Sequence, residues 1–212
     1  MKKIAVMLYP HFSLQEITVL TSCLTIWFKQ KLDFVGSEIK PYISEDGFHV
    51  TPTVSVSSAK ASEYDCIILP GIMNPLPALY DDHLISFLKE AHNTNVILAA
   101  ISSAPLLLAK AGLLQGVQFT AGIFMQMVEH FPFINNENFI HQPIVEDRNI
   151  ITAIGFAFRE FAQKVLERLG FETEESFMMP VDREYSNQEL TYYFDRTDYQ
   201  EFLDELKEMS KK

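Results

Sequence analysis

Residues 96–105 read Val-Ile-Leu-Ala-Ala-Ile-Ser-Ser-Ala-Pro, and this stretch decides the fold. The six residues Val96 to Ile101 are apolar without helical spacing, the pattern of a strand covered on both faces. Small residues follow, and Pro105 is suited to the first turn of a helix, which the apolar pattern carries to Ala111-Gly112. A core strand therefore meets a helix N-terminus at Ser102.

The same rhythm extends in both directions. Lys3 to Tyr9 predicts a buried strand closed by Pro10. From Ser13 as N-cap to about Lys31, Leu14, Ile17, Leu20, Leu24 and Phe28 recur at three- and four-residue steps, which predicts an amphipathic helix with Glu16 in its first turns. Glu38 to Ser57 predicts a strand and a hairpin turning at Asp46-Gly47, then alternation through Val50, Val54 and Val56. Tyr64 to Leu69 predicts a strand ended by Pro70-Gly71, and Asp81 to His92 a helix. Further strands are expected at Val117–Thr120, Ile144–Glu146 and Asn149–Ala153, with a long helix after Gly155 reaching Leu169-Gly170. Alternating strands and helices imply an α/β fold, a doubly wound and mostly parallel sheet with helices on both faces.

A chain of 212 residues suits one such domain, with 171–212 read as a C-terminal helical extension. The extension is acidic and aromatic; a helix at Phe194–Lys207 would pack on the domain or on a dimer partner, or act as a lid. The net charge of −11 argues against a nucleic-acid partner, because phosphate backbones are held by clustered Lys and Arg. No apolar run reaches the roughly 20 residues of a membrane-spanning helix, and no secretory leader is read at the N-terminus, so a cytoplasmic protein is expected. Cys23 and Cys66 are too few for a disulfide framework and are expected to be reduced core residues. Met125, Met127, Met178 and Met179 read as core or interface fillers. With no phosphate loop, dinucleotide fingerprint or dense His/Cys/Asp/Glu cluster, neither a cofactor nor a metal is expected.

In an open parallel sheet, ligands sit beyond the carboxyl ends of the strands. Three segments lie there: Pro10–Glu16, Pro70–Asn74 and Ser102–Pro105. The small residues on either side of Ser102 meet the steric need of a sharp elbow that exposes a nucleophile, and N–H groups at the following helix start would welcome an oxyanion. Two plainer readings stand beside this one. Ser102 would serve as a helix-capping hydroxyl, and Glu16 as a helix-start carboxylate favoured by the macrodipole.

The order of these motifs, a strand with its PG loop, then AAI-nucleophile-small-small-Pro opening a helix, with Glu16 in the first helix, resembles the ThiJ/PfpI family of the class I glutamine amidotransferase-like superfamily over about residues 1–170. The resemblance implies a flavodoxin-like fold, usually a homodimer, and relatives that include deglycase or glyoxalase-like enzymes, peptidase-related proteins, stress chaperones and silent members. It places a reactive cysteine at the elbow, a glutamate beside it and often a histidine on a later loop. Carried onto this chain, the elbow position is Ser102, the carboxylate is Glu16, and backbone donors come from Gly71, Ile72 and Ser103. The chain departs from the pattern at Ser102 itself, at Ala121-Gly122-Ile123 where the histidine would fall, and at Ile72 where many relatives have a second glycine.

A thiol becomes a thiolate readily, whereas a serine hydroxyl needs a positioned base. A carboxylate titrating at about 4 holds an alkoxide proton poorly, so a Ser102–Glu16 pair without histidine is expected to be slow. His130 and His141 are the remaining histidines considered for the crevice. Three functions compete: a protein without the family's Cys/His chemistry that binds a small anionic or carbonyl metabolite or a partner protein; a serine-dependent hydrolase or amidase using Ser102 and Glu16; and a stress-related chaperone.

Overall fold

Buried apolar runs form the middle of one sheet. The computed structural model describes residues 1–173 and, beyond them, Arg196, Thr197, Gln200 and Asp204. In chain order the elements are β1 (Ile4–Leu8), α1 (Gln15–Ser22), β2 (Leu32–Gly36), β3 (Tyr42–Ile43), β4 (His49–Val50), β5 (Val54–Ser55), β6 (Cys66–Leu69), α2 (Leu76–Leu79) and α3 (Asp82–Lys89). Then come β7 (Ile97–Ile101), α4 (Pro105–Lys110), α5 (Met125–His130), β8 (Ile144–Asp147), β9 (Ile150–Ala153) and α6 (Phe158–Arg168). The chain divides into two compact units, Met1–Met179 and Pro180–Lys212, and the sheet lies in the first. The helical extension expected over 171–212 falls almost entirely outside the described residues.

Seven strands pair in the order β5-β2-β1-β6-β7-β9-β8, all parallel except that β8 runs against β9. Alternate side chains of the central strands serve opposite layers, which is why these strands read as continuous apolar runs. Ile4, Val6, Ile68, Ala99 and Ile101 meet Ile17 and Leu20 of α1 and Phe161 and Val165 of α6 on one face. Ala5, Met7, Ile67, Leu98 and Ala100 meet Leu84, Phe87 and Leu88 of α3 and Leu106–Leu108 of α4 on the other. The chain runs outward from β1 toward β5, then returns to build β6, β7 and β9 on the other side. The strand order thus reverses beside β1, and a crevice is expected above the carboxyl ends there.

Several expectations are corrected. The first helix ends early: α1 passes into one π turn at Cys23–Trp27, Lys29 takes φ +51°, and Leu32 already belongs to β2. The spacing of Phe28 and Leu32 continues the helical step, so the pattern alone conceals the break. Ser13 does not cap α1; the Leu14 N–H donates to Asp46 Oδ2 at 2.9 Å, and the Ser13 N–H to the Gly71 carbonyl at 2.7 Å. Val117–Thr120 forms no strand, only an isolated bridge between Phe119 and Phe139, and α5 follows where no helix was expected. Ser102 is not a cap either, because α4 begins at Pro105.

Asp46-Gly47 does turn the β3–β4 pair, with Gly47 at φ +86°. Cys23 and Cys66 are both buried. Among the described residues no helix is long and apolar enough to cross a membrane, and no cluster of His, Cys, Asp and Glu is arranged to hold a metal ion.

Candidate functional site

Ser102 follows the last residue of β7 with φ +60°, a left-handed conformation that costs a residue with a Cβ about 1–2 kcal/mol. The backbone clamps it there. Its N–H donates to the Ala153 carbonyl at 2.7 Å, and its carbonyl accepts the Gly122 N–H at 2.8 Å. The turn thus throws the side chain up from the centre of the sheet. Ordinarily Ala is preferred over Gly by unfolded-chain entropy, but here the order should reverse: Ser102→Gly is expected to exceed Ser102→Ala in stability by about 1 kcal/mol, read from urea midpoints.

Glu16 rises from α1 into the same place and is only 8% exposed. Its Oε2 accepts the Gly71 N–H at 2.9 Å. Burial is the main cause lifting its carboxyl from 4.5 to about 7, and Glu45 adds to the rise; the Ser102 hydroxyl and the Gly71 N–H draw it down. The Ser13 hydroxyl also draws it down, although its buried oxygen makes no hydrogen bond of normal geometry among the described residues. A carboxyl at about 7 is a different reagent from the ordinary carboxylate expected from sequence, since it is a usable base at neutral pH.

Three glycines press against the pair. A Cβ at Gly71 would fall within contact of Glu16 Oε2 and 2.7 Å from Ser102 Cβ. At Gly155 it would collide with Glu16 Oε1 and come 3.2 Å from Ser102 Oγ, and at Gly122 it would stand 3.5 Å from the same hydroxyl. The buried Tyr9 hydroxyl donates to the Pro70 carbonyl and so holds the loop carrying Gly71.

Two of the three expected oxyanion donors are already engaged. The Gly71 N–H serves Glu16, and the Ile72 N–H donates to Ser103 Oγ at 2.9 Å while that hydroxyl donates to the Ile72 carbonyl at 2.7 Å. The Ser103 N–H has no partner among the described residues.

Glu16, Ile72, Ser102 and Ser103 share a cavity of about 280 Å³ with Glu45, Met73, Pro75, Gly122, Ile123, Phe124 and Met127. No histidine, lysine or arginine lines it among the described residues. His130, packed against Phe131, and His141, packed against Phe139, do not line this cavity. Sequence reasoning missed Glu45, Gly155 and the Phe124–Met127 wall. No local pattern marks Glu45, in the β3–β4 turn, or the wall that leads into α5, because only the folded chain brings them to Ser102; Gly155, punctuating a strand-to-helix junction, carried a signal. A larger cavity of about 360 Å³ lies near the opening residues of β7 and β9, away from this constellation, and its Arg148 Nη2 is already bonded to the Gly116 carbonyl.

The chain matches the DJ-1/PfpI family over residues 2–168. It is 30% identical to the Bacillus subtilis protein named uncharacterized protease YoaZ over 149 residues, 68% of this chain and 70% of that protein. Over 124 residues it is 28% identical to Drosophila melanogaster protein dj-1beta, a match covering 57% of this chain and 64% of that one. With Bacillus subtilis uncharacterized protease YdeA the identity is 33%, but the chain spans only 52% of that relative's length. Among solved structures, the DJ-1 superfamily protein Atu0886 from Agrobacterium tumefaciens superposes with a TM-score of 0.73 at 23% identity, covering 83% of this chain and 94% of that one. That likeness shows the mostly parallel, flavodoxin-like α/β fold.

Proposed function

Since the chain belongs to the DJ-1/PfpI family, we propose that Ser102 stands at the family's nucleophile position and that the protein is a serine-dependent acyl-transfer enzyme, hydrolysing a small ester or amide. The observation that carries this reading is a near-neutral carboxyl, Glu16, packed by glycines against a hydroxyl held in a strained elbow. Strain maintained around a reactive group is more economically explained by chemistry than by packing. That some relatives are named proteases agrees with it.

The steps follow from the positions. Ser102 Oγ attacks the acyl carbon as its proton passes to the ionised Glu16, and the oxyanion takes the free Ser103 N–H. Collapse breaks the bond to the leaving group, which departs with the proton from Glu16. Water, deprotonated by Glu16, then attacks the acyl-serine and releases the acid, returning the proton to Ser102. With one free donor and no histidine, turnover should be slow.

A second reading has its own support: with the Gly71 and Ile72 N–H groups engaged, the crevice would bind a carbonyl compound without turning it over. Intact mass after exposure to a fluorophosphonate separates the two. The acyl-transfer reading expects one adduct on the parent, with fluoride expelled by Ser102 Oγ, and none on Ser102→Ala. An unlabelled parent, or equal labelling of the variant, would remove it.

A further inference from the structure

We propose that the crevice selects acyl compounds whose chain carries an ammonium group, with the ammonium against Glu45 and the chain along Met73, Phe124 and Met127. The proposal deepens the acyl-transfer reading and rests on it for the reacting atoms. Its basis is the lining of the cavity, where two carboxylates stand and no cationic side chain is found among the described residues. A carboxylate ligand would meet both negative groups with nothing to neutralise it, whereas a cation completes the set.

Among the described residues the Glu45 side chain makes no ion pair and no hydrogen bond. Ion pairs among the described residues occupy Glu38, Glu63, Asp65, Glu146 and Glu167, and none of these involves Glu45. The neighbouring Asp46 already satisfies the start of α1. The turn bearing Glu45 is nonetheless tied down: its N–H donates to the Phe12 carbonyl at 2.9 Å, Ser44 N–H to the Phe48 carbonyl at 2.8 Å, and Phe48 N–H to Ser44 Oγ at 3.1 Å. The backbone of a residue whose half-exposed carboxylate lines the cavity is therefore held in place, and that carboxylate has no partner among the described residues, which suits a binding group. The same cavity is lined by Met73, Phe124 and Met127, whose thioethers and aromatic ring offer polarisable surface suited to methylenes and to a quaternary ammonium. At about 280 Å³ the cavity has room for a chain of a few carbons.

The test compares three probes of similar length: butyramide, trimethylammonio-butyramide and succinamate. Binding is read by NMR from the methyl groups of Met73 and Met127, assigned with Met73→Leu and Met127→Leu. The cationic amide is expected to bind roughly fivefold or more tightly than butyramide, succinamate to leave both methyls unmoved, and Glu45→Gln to bring the cationic amide down to the butyramide level. Succinamate binding as well as the cation, a preference that survives Glu45→Gln, or no response to the cationic amide would each overturn the proposal. Charge selection without any Ser102 labelling would sink the acyl-transfer reading alone; labelling without charge selection would sink this inference alone.

Discussion

Replacing Glu16 with glutamine is expected to abolish a fall in stability that the parent suffers between about pH 4.5 and 7. The folded-state carboxyl titrates at about 7, above the 4.5 of an unperturbed side chain. In that window the native protein keeps a proton that the unfolded chain has lost, so raising the pH favours unfolding. The stabilising contribution is complete below 4.5 and exhausted above about 7. At roughly 1.4 kcal/mol per pH unit, the loss amounts to about 3 kcal/mol. Urea unfolding of parent and variant across this range gives the measurement, and the difference between them cancels the titration of every other group. A constant difference would show that Glu16 ionises normally. The same ionisation creates the base, so fluorophosphonate labelling of the parent should rise with pH through about 7 while stability declines.

Gly71→Ala should be the most damaging single methyl in the domain. The new Cβ would overlap Glu16 Oε2 and lie 2.7 Å from Ser102 Cβ, and Gly71 is itself held by its N–H to Glu16 and its carbonyl to Ser13 N–H. With backbone and elbow both fixed, the carboxylate must leave its niche, at a cost of about 2–3 kcal/mol for overpacking and the lost bond. Denaturant midpoints should fall accordingly, and any folded variant should lose labelling of Ser102. The contrasting variant is Gly116→Ala, where φ is +65° but nothing stands within 4 Å of the added methyl. It should show backbone strain of about 1 kcal/mol with labelling intact. Because Gly71 has no left-handed φ, a midpoint for Gly71→Ala equal to the parent's would mean that the niche around Glu16 yields to the methyl.

The sequence carried the sheet where burial on both faces wrote unbroken apolar runs, in Ile4–Leu8, Cys66–Leu69 and Ile97–Ile101. It failed at Leu32–Gly36, whose residues continue a helical step by coincidence, and at Val117–Thr120, whose apolar residues pack without strand partners. Ser102 and Glu16 were legible because a strand end and a helix start are local features. The state of Glu16 was not. Its shift toward neutrality arises from burial and from Glu45, neither of which has a signature in nearby residues. Two of the expected backbone donors failed for a related reason, since only the folded arrangement shows Gly71 serving Glu16 and Ile72 serving Ser103.

The clamp on Ser102 has a consequence for how such a protein changes over time. Its N–H is fastened to Ala153 and its carbonyl to Gly122, and both fastenings are made by main-chain atoms that every amino acid except proline possesses. The posture of this residue is therefore inherited from the sheet and owes nothing to the atom at the tip of its side chain. A replacement of that side chain therefore meets the same main-chain hold, and what it changes is the group presented to Glu16 and the cavity.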